Sequence, residues 1–213
     1  MLRYLRSTEL AFYPRLAHSM FRDRADQFRN RLGWSVSVDA NGEERDQYDR
    51  LDPLYVIWEN ADGTHGGSMR FLPTTGRTML AEHFADLLNG QTVSDPDTWE
   101  CTRFCLSRNA APAVSTALML GGAEVGIGFG LRRSVGVFDA RMTRIYARLG
   151  WTPEIFGSMG EGRDRISAGF WTFSEAVADD LAWRADIPRA MSRVWFHRAR
   201  SLPPAAAPVA LRA

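Results

Sequence analysis

Lysine is absent from this chain: all 26 basic residues among its 213 are arginines. That excludes chemistry resting on an amine side chain, whether a P-loop phosphate lysine, a Schiff-base lysine or a lysine general base. Arginine stays protonated at any working pH, so these residues bind and pair but do not act as bases. Cysteine is scarce. Cys101 and Cys105 stand four residues apart, which in a strand puts both on one face about 13 Å apart, too far for a disulfide. No further cysteine or closely spaced histidine completes a zinc set, so no metal site is expected and the pair reads as two small buried hydrophobes. No window reaches the roughly 18 apolar residues of a spanning helix. The N-terminus is interrupted by charges and has no signal-peptide pattern, so a cytoplasmic protein away from membranes is expected. A net charge of +1 gives no reason to expect nucleic acid. The four histidines, His18, His65, His83 and His197, form no HExxH or Ser/His/Asp pattern, and none is assigned a catalytic role. GIGFG within residues 121–130 falls in a helical pattern, not in a strand-to-helix turn, so a dinucleotide fold is not expected. Its glycines read instead as places where a helix packs closely on a sheet.

What is present is a core-forming composition, 45% hydrophobic with 24% charged residues, suited to one globular domain over residues 1–200. Residues 201–213 read as a low-complexity, mobile tail. Ala17, Phe21, Ala25, Phe28 and Leu32 share one face of a helix ending at Gly33. A long polar loop follows over residues 34–53, of the kind that is often functional in a compact domain. Strands are expected at 54–59 and 67–73, joined as a hairpin, and at 99–107, 134–139 and 165–173. Helices are expected at 78–88, 112–130 and 140–150, with a last helical region capped by Ser174. Strands alternating with helices predict an α/β fold, a three-layer α/β/α sandwich.

Six charged residues draw attention: Arg24, Asp46, Asp49, Arg70, Glu100 and Arg103. Arg70 and the Glu100/Arg103 pair interrupt apolar strands. In a regular strand Glu100 and Arg103 would point to opposite faces. Any one of these could be a surface ion pair, worth little. Gathered around one cleft, they could hold a zwitterion, carboxylates on its amine and arginines on its carboxylate.

With Phe28, Trp34 and Phe84, these six complete a nine-position pattern that resembles the LuxI-type acyl-homoserine-lactone synthases, the bacterial autoinducer synthases. The resemblance extends through VGVFDARMTRIYARLGW and covers roughly residues 1–175. It implies a GNAT-like fold with a mixed, mostly antiparallel central sheet. It also implies an acyltransferase that takes S-adenosylmethionine as substrate, not cofactor, and an acyl thioester on acyl carrier protein or coenzyme A. Such an enzyme acylates the methionine amine, closes the lactone and releases methylthioadenosine. The GNAT pyrophosphate motif is replaced here by SRNAAPAVST. On this resemblance Arg24, Asp46, Asp49, Arg70, Glu100 and Arg103 form the catalytic set, with Glu100 the best candidate base, and Asp46, Asp49, Arg70, Glu100 and Arg103 are each expected to be needed for activity though not for solubility. Phe28, Trp34, Asp46, Arg103 and Phe104 would meet S-adenosylmethionine, with backbone N–H groups near residues 104–107 facing the oxyanion. Phe84, Trp99, Met142 and Thr143 would line the acyl pocket. Arg141, Arg144 and Arg148 share a helix face that could attract an acidic carrier. Two rivals remain: a GNAT-type N-acetyltransferase acting on another amine, and a non-catalytic S-adenosylmethionine-binding homologue.

Overall fold

The computed structural model describes residues 1–201; apart from Ser201, the expected tail lies outside them. LRYLR opens the chain as strand β1 (Leu2–Arg6), with Leu2, Tyr4 and Leu5 buried. Its arginines break the apolar pattern, so this strand has no clear signal in the sequence. The β-branched and aromatic run of β2 (Leu54–Glu59) pairs antiparallel with β3 (His65–Pro73). Their turn closes through Asn60 N–H donating to Thr64 O at 2.9 Å, with Gly63 at φ +79°, the left-handed conformation glycine adopts at no steric cost.

Strands β4 (Thr98–Leu106), β5 (Arg133–Asp139), β6 (Glu154–Met159) and β7 (Ile166–Thr172) complete a seven-stranded sheet of order β1-β2-β3-β4-β5-β7-β6. Every neighbouring pair is antiparallel except β4 with β5. Strand β6 was also unread: it lies at an edge, is mostly exposed, and is interrupted by a register shift between Ile155 and Gly157.

Helix α1 (Pro14–Ala25) begins with proline at a position where a missing N–H costs nothing. It runs into a wider π turn, Asp26–Arg31, before Gly33 at φ +69° ends it. With α2 (Met79–His83) it covers one face of the sheet. The other face carries α3 (Ala113–Gly128), α4 (Ala140–Leu149), α5 (Glu175–Ala185) and α6 (Arg189–Ser201). The three layers are those expected. Helix α3 is buried nearly all round, and its glycines let it approach its neighbours: a Cβ at Gly121 would stand 2.6 Å from Val56, and at Gly126 2.1 Å from the Phe173 ring. Asp139 caps α4 by accepting from the N–H groups of Arg141 and Met142, and Ser174 caps α5 by accepting from Val177.

Two departures from regular pairing shape the site. First, β4 and β5 pair only through Thr98–Glu100 and Arg133–Val135 and then splay apart. Second, Ser68 faces Cys105 while Arg70 faces Thr102, so β4 carries one extra residue there, a bulge.

Candidate functional site

At that bulge Arg103 adopts φ +55°, a left-handed conformation disfavoured for a residue with a Cβ. The extra residue resets the alternation of β4, so Glu100 and Arg103 share a face, contrary to the expectation for a regular strand. Both reach Met79: its N–H donates to Glu100 Oε2 at 2.9 Å, and its sulfur lies 3.5 Å from Arg103 Nη1.

The polar loop folds over this face and delivers its carboxylates to three arginines. Arg24 donates to both oxygens of Asp49 at 3.0 Å and through Nε to Glu44 at 2.6 Å. Arg70 donates to Asp46 at 2.5 and 3.0 Å, to Asp49 at 2.7 Å and to Thr102 Oγ1 at 3.0 Å. Arg103 meets Asp46 at 2.8 Å and Glu44 at 3.1 Å. Tyr55 adds its hydroxyl to Asp49 at 2.5 Å. Three guanidinium groups thus balance Glu44, Asp46 and Asp49, which satisfies the rule that buried charge must be paired. Burial would raise the pKa of Asp49, but Arg24 and Arg70 outweigh it and hold the carboxyl well below its ordinary value. Burial lowers the basicity of Arg24 less than Asp49 and Glu44 raise it, so it stays charged.

The loop is itself built to make these contacts. Asp46 caps a short 3₁₀ turn, Gln47–Arg50, by accepting from the N–H groups of Tyr48 and Asp49, while Asp49 Oδ2 accepts from Asp46 N–H. One carboxylate pair therefore shapes its own loop and grips the arginines.

The network opens on a cavity of about 750 Å³. Glu44, Asp46 and Arg103 line it beside Trp34, Phe84 and His83; Arg24, Asp49 and Arg70 lie behind this wall. Trp34, 45% exposed, stacks on Phe28 with ring centroids 5.2 Å apart and planes 10° apart. The Arg103 guanidinium lies 5.3 Å from the Phe28 ring centroid, and its Nε is buried without a hydrogen-bond partner.

Glu100 stands elsewhere. Its carboxylate accepts from the N–H groups of Met79 and Leu80 at 2.9 and 2.6 Å and is absent from the cavity wall. Burial raises its pKa against the pull of those two donors. It fixes the start of α2, which carries Met79, His83 and Phe84 to the wall, and is not placed to act directly as a base.

A second, apolar slot of about 60 Å³ lies where β4 and β5 splay. Cys101, Phe104, Gly136, Met119, Tyr146 and Trp171 line it, and Arg103 and Val137 belong to both spaces. A Cβ at Gly136 would come within 3.0 Å of Cys101 O. Phe104 therefore belongs to the slot and not to the charged cavity. Of the residues expected in the acyl pocket, Phe84 lies on the cavity wall, but Trp99 packs 4.9 Å from Phe129 in the core under α3, Met142 is half-buried against that core and Thr143 is exposed on α4. Met142, Tyr146 and Leu149 share the inward face of α4 at helical spacing, and Thr143 turns to solvent. Glu44 was missed as a site residue. Its signal was its place beside Asp46 in EERDQYD, obscured because Glu43, equally acidic, turns to His18 and Arg45 instead.

The autoinducer synthase family model matches residues 10–181. An acyl-homoserine-lactone synthase of Rhizobium etli is 38% identical over 210 residues, 95% of this chain and 97% of that protein. Among solved structures, BjaI, a CoA-dependent acyl-homoserine lactone synthase with SAM and isopentyl-CoA, superposes with a TM-score of 0.79 at 22% identity over 88% of this chain and 90% of that one, a likeness of fold. The AHL synthase LasI superposes with a TM-score of 0.73 at 28% identity, over 85% and 93%. An N-acetyltransferase from Lactobacillus plantarum shares the frame more loosely, with a TM-score of 0.55 at 12% identity over 81% and 99%, which makes the sheet GNAT-like. With the family model spanning most of its length and a relative aligned nearly end to end, this chain belongs to the autoinducer synthase family.

Proposed function

We propose that the chain is an acyl-homoserine-lactone synthase that joins S-adenosylmethionine to an acyl thioester and releases N-acyl-L-homoserine lactone and methylthioadenosine. The observation that carries this reading is the junction at Arg103, where a charged, aromatic-walled cavity meets an apolar slot. A zwitterionic sulfonium fits the first, and the apolar lining of the second suits the start of an acyl chain, for which the slot of about 60 Å³ must widen. Trp34 and Phe84 offer aromatic surfaces to the sulfonium or adenine, the wall of Glu44 and Asp46 attracts the cationic end, and the Arg103 guanidinium on the cavity wall pairs with the carboxylate. No resident cofactor or metal enters the scheme.

The amine must lose its proton before attack. Glu100 is held by α2 and Glu44 and Asp46 are paired with arginines, so the proton leaves through water in the cavity. The thioester carbonyl meets β4 where it has left β5. Ser107 N–H is already spent on Gly66 O at 3.0 Å, so the oxyanion donors are peptide N–H groups of β4 before it. The nitrogen attacks the carbonyl carbon, the thiol leaves, and the carboxylate oxygen then displaces methylthioadenosine from the γ-carbon. Substrates of this kind are made inside the cell, which supports a cytoplasmic enzyme. Incubation with S-adenosylmethionine and a panel of acyl thioesters should yield methylthioadenosine; release of free thiol alone would favour an ordinary acetyltransferase.

A further inference from the structure

Beneath the charged network lies an Asp–His–Ser relay that the reaction scheme does not use. His65, 2% exposed, lies at the start of β3. Its Nδ1 is 2.6 Å from Asp23 Oδ2 on α1, and its Nε2 is 3.0 Å from Ser68 Oγ on β3. Its backbone N–H donates to Ser19 Oγ at 2.9 Å, so one residue grips α1 at two points a helical turn apart. Burial lowers the pKa of His65 more than Asp23 raises it, and Arg24 lowers it further. The ring is therefore neutral near pH 7: Nδ1–H donates to Asp23 and Nε2 accepts from the Ser68 hydroxyl. Ser68 is 2% exposed and lies away from both the cavity and the slot, so the relay has no substrate to attack.

Its position gives it another task. Asp23 precedes Arg24, and α1 runs on through the π turn to Phe28 and then Trp34. Ser68 faces Cys105 at the end of the bulge that turns Arg103 toward the cavity, two residues before Arg70. We propose that His65 is a positioning residue: clamped between Asp23 and Ser68, it sets α1 against β3 and thereby places Arg24, Phe28 and Trp34 opposite Arg70 and Arg103 around S-adenosylmethionine. The clamp acts chiefly on the charged cavity, because the apolar slot, though it shares Arg103 and Val137 with that cavity, is built from β3, β4, β5, β7, α3 and α4 and takes nothing from α1. This rests on the synthase reading for its kinetic arm only.

The test compares His65→Ala, Asp23→Ala and their double variant with the parent, using steady-state kinetics and calorimetric binding of S-adenosylmethionine. A loosened clamp should raise KM and Kd for S-adenosylmethionine about tenfold, the effect of losing one charge-assisted contact from the binding site. The acyl-thioester KM should stay within about twofold and kcat per folded enzyme within about threefold, because binding of one substrate lost equally from the ground and transition states leaves kcat unchanged. The double variant should be no worse than the singles, as expected for residues acting as one unit. Should the alanine variants fail to fold, His65→Asn keeps a donor toward Asp23 and His65→Gln an acceptor toward Ser68. Each should then show part of the same KM rise. A lower melting temperature with both KM values and Kd unchanged would overturn the proposal. If the parent binds S-adenosylmethionine but makes no methylthioadenosine, the synthase reading falls and the binding arm still decides this one.

Discussion

Asp49 answers to two buried arginines and a tyrosine, so its removal is first a matter of stability. Asp49→Ala strands guanidinium groups in the interior and should cost about 3–5 kcal/mol, read as a loss of unfolding free energy in denaturant. Arg24 and Arg70, 1% and 0% exposed, belong to the same class. Truncation without harm to solubility, expected from the sequence for Asp46, Asp49, Arg70, Glu100 and Arg103, is therefore predicted here only for the cavity wall. Asp46→Ala and Arg103→Ala, at groups about a tenth exposed, should abolish turnover in protein that still folds. Acid behaviour follows from the same geometry. The folded pKa of Asp49 is depressed, so its stabilisation is complete above the unfolded value near 4 and drains away as pH falls below it toward the lower folded pKa. Asp49→Asn should flatten the fall of stability with pH below about 4, measured by urea midpoints across that range.

The elements that carry local signals were legible in the sequence. The β2–β3 hairpin has its turn residues, α4 has Asp139 before it and Gly150 after it, and α5 has Ser174. The edge strands β1 and β6 were not, since an edge needs no continuous apolar run and arginines or a glycine interrupt both. Nor was the bulge, whose cause is tertiary: Arg103 is held at positive φ by Glu44 and Asp46 from a loop some sixty residues earlier. The residues of the charged set were recognisable by type and spacing, but which of them line the cavity was not, because burial depends on which loop covers which strand. The bulge makes its own prediction. Glycine adopts the left-handed conformation freely, so Arg103→Gly should unfold about 1 kcal/mol harder than Arg103→Ala, with neither variant active. Equal stabilities would mean that the bulge relaxes when the arginine is lost.

At the scale of the whole molecule, two substrates enter a single-sheet frame from different environments. Trp34 and the loop of residues 34–53 line the charged side, and S-adenosylmethionine should reduce protease cleavage within that loop. Arg144 and Arg148 are exposed on α4 while Arg141 pairs with Asp139. If this face receives an acidic carrier protein, the triple Gln variant should raise KM for the carrier-linked donor several-fold more than for acyl-CoA, and about 0.5 M salt should shrink the difference. The account stands most directly on product stoichiometry. With S-adenosylmethionine and an acyl thioester, mass spectrometry should find methylthioadenosine and N-acyl-homoserine lactone rising together in equal amounts in the parent and absent in Arg103→Ala. Free thiol without methylthioadenosine, or undiminished product in Arg103→Ala, would contradict it.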